Sequence, residues 1–417
     1  MPYSNAALLT GMRLYIFAMP FTYALSIANG LITMSLLLSV WLAAHLVFRM
    51  LGYAIVIPRL TAAFLMFLAF LAFLPLGQLF TGTVSNKSLN HFLAYTGSIV
   101  AFGLIPMLAV ANISRPGWAN ILVRDIMWTA RIAALVAVIQ FISSNFFGIF
   151  WEDLIYYPES IEARSTFLGI FFRSRGFASE PGHYAFTLEL LAPLLLYGHS
   201  VLLKKSRGIL LTDILLLLLA FLCTGSPAGL LIFGTGFLLA ALLFPSRQAV
   251  PFFWGLLIAF VVALGLIGII GNQFDLSNPL DTLSFIFTDK LDSSSSADRA
   301  ERIRIGLDLL SDASPLHVLI GYGPAVYASR NLDETGTIVQ FYLLLLLEGG
   351  VIGTLFFLGG FVFMAVIAIK QLGQERIFFF WAFLSLAIHY LFISNYYYPM
   401  IWFMFTLLLI MRAIHEK

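Results

Sequence analysis

The chain has a single cysteine, Cys223, and charged side chains make up only 11% of its 417 residues. One cysteine cannot form an intrachain disulfide, so disulfide stapling is excluded and the redox compartment is left open. So few charges exclude an ordinary globular protein, which carries about 25%. The 23 Lys and Arg nearly balance the 21 Asp and Glu, which leaves no basic field to attract nucleic acid. No internal repeat, heptad or coiled coil is present, and Ser293 to Ser296 is the one low-complexity run, expected as a flexible lead into a helix. The polar segments contain no Asp-x-Asp pair, no His/Cys ligand spacing, no carboxylate cluster at a helix start and no Gly-x-Ser-x-Gly. Neither a metal nor any other cofactor is expected, and no serine nucleophile.

What the chain does have is 60% hydrophobic residues and a mean hydropathy of +0.95, the composition of a polytopic membrane protein. At about 20 apolar residues per crossing, spans fall near 8–28, 31–48, 60–80, 91–110, 119–143, 182–202, 209–223, 227–244, 250–271, 351–370, 377–393 and 400–414. The expected fold class is therefore all-α with about 12 transmembrane helices. The first apolar stretch, Leu14 to Ala28, lacks a small-residue cleavage site and reads as a retained helix. Arg49, Arg59, Arg115, Arg124, Lys204, Lys205, Arg207, Arg247, Lys370 and Arg376 fall on alternate turns. The positive-inside rule assigns those turns, and both termini, to the cytoplasm.

Residues 336–348 are apolar but too few to cross a core of ~30 Å, and Glu348-Gly349-Gly350 follows. The expectation is a re-entrant or half-helix over 336–350, tolerated only inside protein or beside a wet cavity. Two larger periplasmic loops remain, 144–181 and 272–335, with fifteen acidic residues against eight Arg and Lys. Any arginine cluster there stands out against an acidic background.

In the first loop, Arg164, Arg173 and Arg175 precede Ser179-Glu180-Pro181. A residue before proline is kept out of the helical region and proline suits the first helical turn, so Glu180 reads as an N-cap. The positive helix end would then sit beside Arg173 and Arg175, an arrangement that holds phosphate. The alternative is that these arginines meet lipid headgroups or pair with Glu159 and Glu162. His183 shares the face of Glu180, whereas Glu189 falls opposite and reads as an internal ion-pair partner.

In the second loop, Asp298 to Leu310 reads as a short amphipathic helix. Glu301, Arg304 and Asp308 share its polar arc, while Arg299 and Arg302 fall within the apolar arc. Guanidinium groups placed there either snorkel or meet an anion, and their planar fork suits a diphosphate. A Gly321-Tyr322-Gly323-Pro324 turn follows. Inside the spans, Arg131 and Asp213 lie within two turns of the cytoplasmic ends, where each can snorkel or pair and reads as structural, and His389 reads as a satisfied core histidine.

These features occur in a recognisable order: R-S-R-G-F-A-S-E-P-G opening a helix, then C-T-G-S-P-A-G-L, G-Y-G-P and Y-L-L-L-L-L-E-G-G-V-I-G. From about residue 30 to 410 the chain resembles the bacterial O-antigen polymerase and ligase superfamily. The resemblance implies a GT-C-like glycosyltransferase architecture in the inner membrane, with one integral domain over residues 1–417. It also implies metal-free, inverting transfer of a glycan from an undecaprenyl diphosphate donor to an acceptor hydroxyl. Arg173, Arg175, Arg299 and Arg302 would hold the diphosphate, and Glu180, His183 and Arg175 would serve catalysis. Arg164, Arg304, Tyr322 and Glu348 are further candidates.

The Glu-Pro step resembles polymerases more than ligases, where Asn-Pro is more usual. Ligases also carry a histidine just before the segment matching Tyr342 to Gly350, and Gly336 to Gln340 supply none, with His317 well upstream. The favoured expectation is a polysaccharide polymerase whose partners are lipid-linked oligosaccharide donor and acceptor, membrane lipids and a chain-length regulator. A ligase acting on lipid A core, or a flippase or transporter, is the rival. A transporter would show repeat symmetry and mid-membrane charges.

Overall fold

The computed structural model describes residues 2–27, 32–81, 86–157, 166–167, 171–203, 207–246, 250, 253–255, 257–258, 261, 294–326 and 340–415. Long apolar runs fold as helices because lipid leaves no other way to satisfy the backbone. They are α1 (Pro2–Ala18), α2 (Met34–Met50), α3 (Ala62–Thr81) and α4 (Asn86–Ala111). There follow α5 (Trp118–Phe146), α6 (Pro181–Leu202), α7 (Arg207–Thr224), α8 (Pro227–Leu243), α9 (Ser294–Ser311), α10 (Pro315–Ile320), α11 (Phe341–Gln371), α12 (Arg376–His389) and α13 (Pro399–His415).

Among the described residues, five helices are long and apolar enough to cross a membrane: Arg59–Phe80, Asn86–Ala111, Trp118–Phe146, Pro181–Leu202 and Phe341–Gln371. Met34–Met50, Gly208–Thr224, Pro227–Leu243, Arg376–His389 and Pro399–His415 are apolar but shorter. The protein is a multi-pass, mainly helical membrane protein.

Local chemistry sets the helix ends. Thr33 accepts the Leu36 N–H at 3.3 Å to cap α2, and Ser226 accepts the Gly229 N–H at 3.3 Å ahead of Pro227 to cap α8. The first helix departs from expectation: it begins at Pro2 and ends at Ala18 rather than near residue 28, because Pro20 lacks the N–H needed to continue it. The helix α9 begins at Ser294 instead of Asp298, so the serines expected as a flexible lead occupy its first turn. A two-stranded pair in the first loop, Thr166–Phe167 with Phe171–Phe172, departs from the all-α expectation for the chain. Asn145 pins it by accepting the Phe172 N–H at 2.8 Å and donating to its carbonyl at 2.9 Å.

Lipid is as apolar as leucine, so helix packing here rests on close contact and hydrogen bonds rather than on water exclusion. The α11 helix lies along α3, α12 along α8 and α6, and α5 against α6 and α7. Phe67 of α3 meets Phe357 and Phe361 of α11 at 5.4 Å each and Trp402 of α13 at 5.1 Å, all edge-on. Such pairs add about 0.5–1.5 kcal/mol each beyond their area. Within α4, Ser98–Leu104 is π-helical. Pro106 cannot bond the carbonyl four residues back, and Tyr15 Oη donates to that Phe102 carbonyl instead, at 3.3 Å.

Ion pairs cross the bundle away from the loops. Arg131 donates to Asp213 at 2.8 and 2.9 Å, Asp213 also meets His199, and Arg13 meets Asp125 at 2.8 Å. The structural role read from sequence for Arg131 and Asp213 takes the form of a pair with each other. Deeper in, Glu189 and His389 are buried and meet at 2.7 Å, so each supplies the partner the other needs.

Candidate functional site

One end of the bundle gathers four chain segments. The Ser174 N–H donates to the Cys223 carbonyl at 2.8 Å, and Arg173 Nε donates to the Thr224 carbonyl at 2.9 Å. Tyr23 and Ala24 N–H groups both reach the Phe177 carbonyl, at 3.1 and 3.0 Å. The ring of Tyr398 stands 5.8 Å from that of His183. The R-S-R-G and C-T-G motifs, some fifty residues apart in sequence, are thus one junction.

That junction is shaped by Gln140 of α5, which is buried. Its Oε1 accepts from Ser174 Oγ at 2.8 Å, the Arg175 N–H at 3.0 Å and the Gly176 N–H at 2.6 Å. Gly176 has φ +50°, and a Cβ there would strike the Tyr184 ring, so glycine is required. The chain then reaches Glu180, extended at φ −138° and ψ 156°, and Pro181 opens α6. Glu180 is the N-cap by position, yet its side chain makes no capping bond and is exposed. The first-turn N–H groups and the carboxylate therefore remain for other partners.

The arginines divide into two kinds. Arg175 is 4% exposed and lies 2.7 Å from Glu152, with its guanidinium 4.2 Å over the Tyr157 ring. The partner of Arg175 is thus Glu152, which the sequence reading did not name. Arg302 pairs with Asp298 at 2.9 Å. Arg304 is exposed, reaching Asp308 at 3.2 Å and also Glu301, along the polar arc drawn from sequence.

Arg173 and Arg299 behave differently. Glu180 and Arg299 both act electrostatically on Arg173. Burial pushes the Arg173 guanidinium down to about 10, while Glu180 raises it and Arg299 lowers it. Two cations near enough to oppose each other, one partly desolvated, are stabilised by an anion. Glu180 and Arg299 act on His183 as well. His183 Nδ1 lies 2.7 Å from Ser179 Oγ. Arg173, Glu180 and His183 are the candidate residues that the loop and the start of α6 place at this junction, and Arg299 acts on it electrostatically.

Glu348 and Tyr322 belong to a second junction. The element α11 is interrupted at Gly350, with φ +61° and ψ −170°, so Phe341 to Gly349 is a short helix set off from the following long one. Into that break fits the G-Y-G-P turn. The Tyr322 N–H donates to the Leu347 carbonyl at 2.8 Å, and the Gly323 N–H to the Glu348 carbonyl at 2.9 Å. Gly321, at φ +77°, leaves no room for a Cβ against the Glu348 backbone. The fully buried Glu348 carboxylate accepts from the Ala325 N–H at 2.7 Å and from Tyr95 Oη at 2.8 Å, with His91 at 3.4 Å. Tyr322 stacks on His317 at 4.3 Å and its hydroxyl donates to the Leu309 carbonyl of α9 at 3.4 Å. The helix that carries Arg299 is thereby tied to the turn.

Arg164 lies outside the described residues. Sequence reasoning missed Gln140, Glu152, Tyr157, Tyr95 and His91. A glutamine or histidine in an apolar span was the available signal, because such groups need a buried partner.

A family model described as O-antigen ligase matches residues 214–358. The matched stretch runs from α7 into α11 and takes in C-T-G-S-P-A-G-L, Arg299, G-Y-G-P and Glu348. The match agrees with the resemblance to the O-antigen polymerase and ligase superfamily, whose members are membrane glycosyltransferase-like enzymes. No curated protein matches the sequence.

Proposed function

We propose that this protein, which matches that family model over residues 214–358, is a polysaccharide polymerase of the bacterial inner membrane with a GT-C-like architecture. It transfers a growing glycan from undecaprenyl diphosphate to the terminal sugar hydroxyl of a lipid-linked repeat unit, without a metal. The reaction takes place on the periplasmic face and both termini are cytoplasmic. The observation that carries this reading is Arg173, held at the Thr224 carbonyl on the loop that leads into Glu180 and the start of α6, with Arg299 acting on it electrostatically. Dianionic leaving groups are stabilised by such fixed cations and helix N–H groups.

In the proposed step the acceptor oxygen attacks the anomeric carbon of the growing chain, and the bond from that carbon to the diphosphate oxygen breaks with inversion. The hydroxyl proton passes to Glu180 or to His183, both within reach of the cationic pair. The leaving diphosphate keeps the bonding electrons, and Arg173 and Arg299 hold its charge. Arg175, tied to Glu152 and Tyr157, fixes the loop that presents Arg173. The larger periplasmic loop supplies Arg299 through α9, and a chain-length regulator is the expected protein partner.

A ligase that moves finished glycan to lipid A core is the second reading, favoured by the description of the matching family model. Deleting the gene separates the two. The polymerase reading predicts single repeat units still attached to their final acceptor and no ladder. A ligase would instead leave long chains unattached, and a flippase would strand repeat units on the cytoplasmic side.

A further inference from the structure

Three consecutive tyrosines, Tyr396, Tyr397 and Tyr398, connect α12 to α13 at the site end of the bundle. Two of them are anchors. Tyr396 is 3% exposed and stacks flat on Tyr95 at 3.9 Å and 7°, and Tyr398 is 2% exposed beside His183. Tyr397 alone is presented, at 44% exposure. Its ring is held edge-on by both neighbours, at 5.8 Å and 82° and at 5.2 Å and 89°. Its hydroxyl donates to Asn395 Oδ1 at 3.3 Å, and Asn395 Nδ2 in turn donates to Tyr398 Oη at 3.2 Å. The ring is thus exposed yet fixed in orientation.

An exposed tyrosine at a membrane surface is ordinarily an interfacial anchor in the headgroup layer. Tyr397 differs in its neighbours, because Tyr398 beside it stands 5.8 Å from His183 in the first turn of α6, the turn that Glu180 opens. A carboxylate beside an anchored aromatic face does not favour anionic headgroups. It matches a sugar ring, which has a flat C–H face for the aromatic surface and hydroxyls for the carboxylate.

We propose that Tyr397, at the start of α6 that Glu180 caps, is the acceptor-sugar subsite: the terminal sugar ring of the incoming repeat unit lies on Tyr397 and offers its attacking hydroxyl to Glu180. This rests on the glycan-transfer reading above and adds where the acceptor binds. It also separates the two substrates, with the acceptor sugar on the tyrosine side and the donor diphosphate on the Arg173 and Arg299 side.

The test uses the full chain purified in nanodiscs, the host's lipid-linked repeat unit as donor, and the same repeat-unit oligosaccharide freed of lipid as soluble acceptor. Tyr397→Ala should raise the acceptor KM about tenfold while the donor KM stays at the wild-type value, and Tyr397→Phe should stay within about threefold on both. If Tyr397→Ala does not fold, Tyr397→Leu, which keeps volume without the aromatic face, is read the same way. An acceptor KM indifferent to these changes, as for a headgroup anchor, overturns the subsite while leaving the transfer reading intact. A wild-type protein that transfers nothing to the host's own oligosaccharide and does not bind it overturns the transfer reading itself.

Discussion

Replacing Arg173 or Arg299 with alanine should slow glycan transfer ten- to a hundredfold without preventing membrane insertion. The loss of a hydrogen bond to a charged group costs about 1.5–3 kcal/mol, and each 1.36 kcal/mol is a factor of ten in rate. Because the two guanidiniums act on one another, the double variant should fall short of the product of the single effects. Lysine at either position should restore part of the rate, since it supplies charge without the two-pronged donor. Arg304→Ala is the internal comparison: that side chain is exposed and held by Glu301 and Asp308, so it should transfer at close to the wild-type rate. Transfer measured with purified variants checks all of these, and undiminished rates for both Arg173→Ala and Arg299→Ala would remove the anion site from the account.

Glu348→Ala should lower thermal stability sharply and reduce activity with it. The carboxylate is fully buried and accepts from Ala325 and Tyr95, so its removal strands two buried donors. Each stranded group costs about 1–3 kcal/mol, for a combined loss on the order of 3 kcal/mol or more if the site cannot collapse. The effect reaches the site because the same clasp fixes the turn on which Tyr322 meets the carbonyl of Leu309 in α9. Glu348→Gln should be milder, since its amide oxygen still accepts from the Ala325 N–H. The unfolding midpoint in detergent, followed by tryptophan fluorescence, measures this, and a Glu348→Ala midpoint equal to wild type would show that the clasp does not hold the turn.

Much of this arrangement was legible in the sequence, for identifiable reasons. Apolar runs dictate helices in lipid, and Glu180-Pro181 dictates where α6 begins. The polar arc of Glu301, Arg304 and Asp308 follows from helical period alone. Charges inside spans must find partners or reach the interface, which is why a structural role for Arg131 and for Asp213 was readable, though not that they meet each other. What could not be read is which partner a loop arginine takes. Arg173 and Arg175 are two residues apart and look equivalent in sequence, yet Glu152 occupies one and the other turns toward the Thr224 carbonyl. That outcome depends on Gln140, thirty-five residues from Arg175, whose one oxygen gathers three donors. The first helix end was misjudged because hydropathy continues past Pro20, whereas backbone hydrogen bonding does not. Tyr397 was equally hidden, since only its packed neighbours distinguish it from Tyr396 and Tyr398.

The central claim is metal-independent polymerisation at the Arg173 and Arg299 end of the bundle. Its most direct test incubates the purified protein in nanodiscs with the host's undecaprenyl diphosphate-linked repeat unit in the presence of EDTA, and resolves the products by gel. A ladder of repeats that vanishes in the Arg173→Ala, Arg299→Ala double variant is the predicted result. Unchanged substrate from the wild-type protein, or a ladder that persists in the double variant, would contradict it.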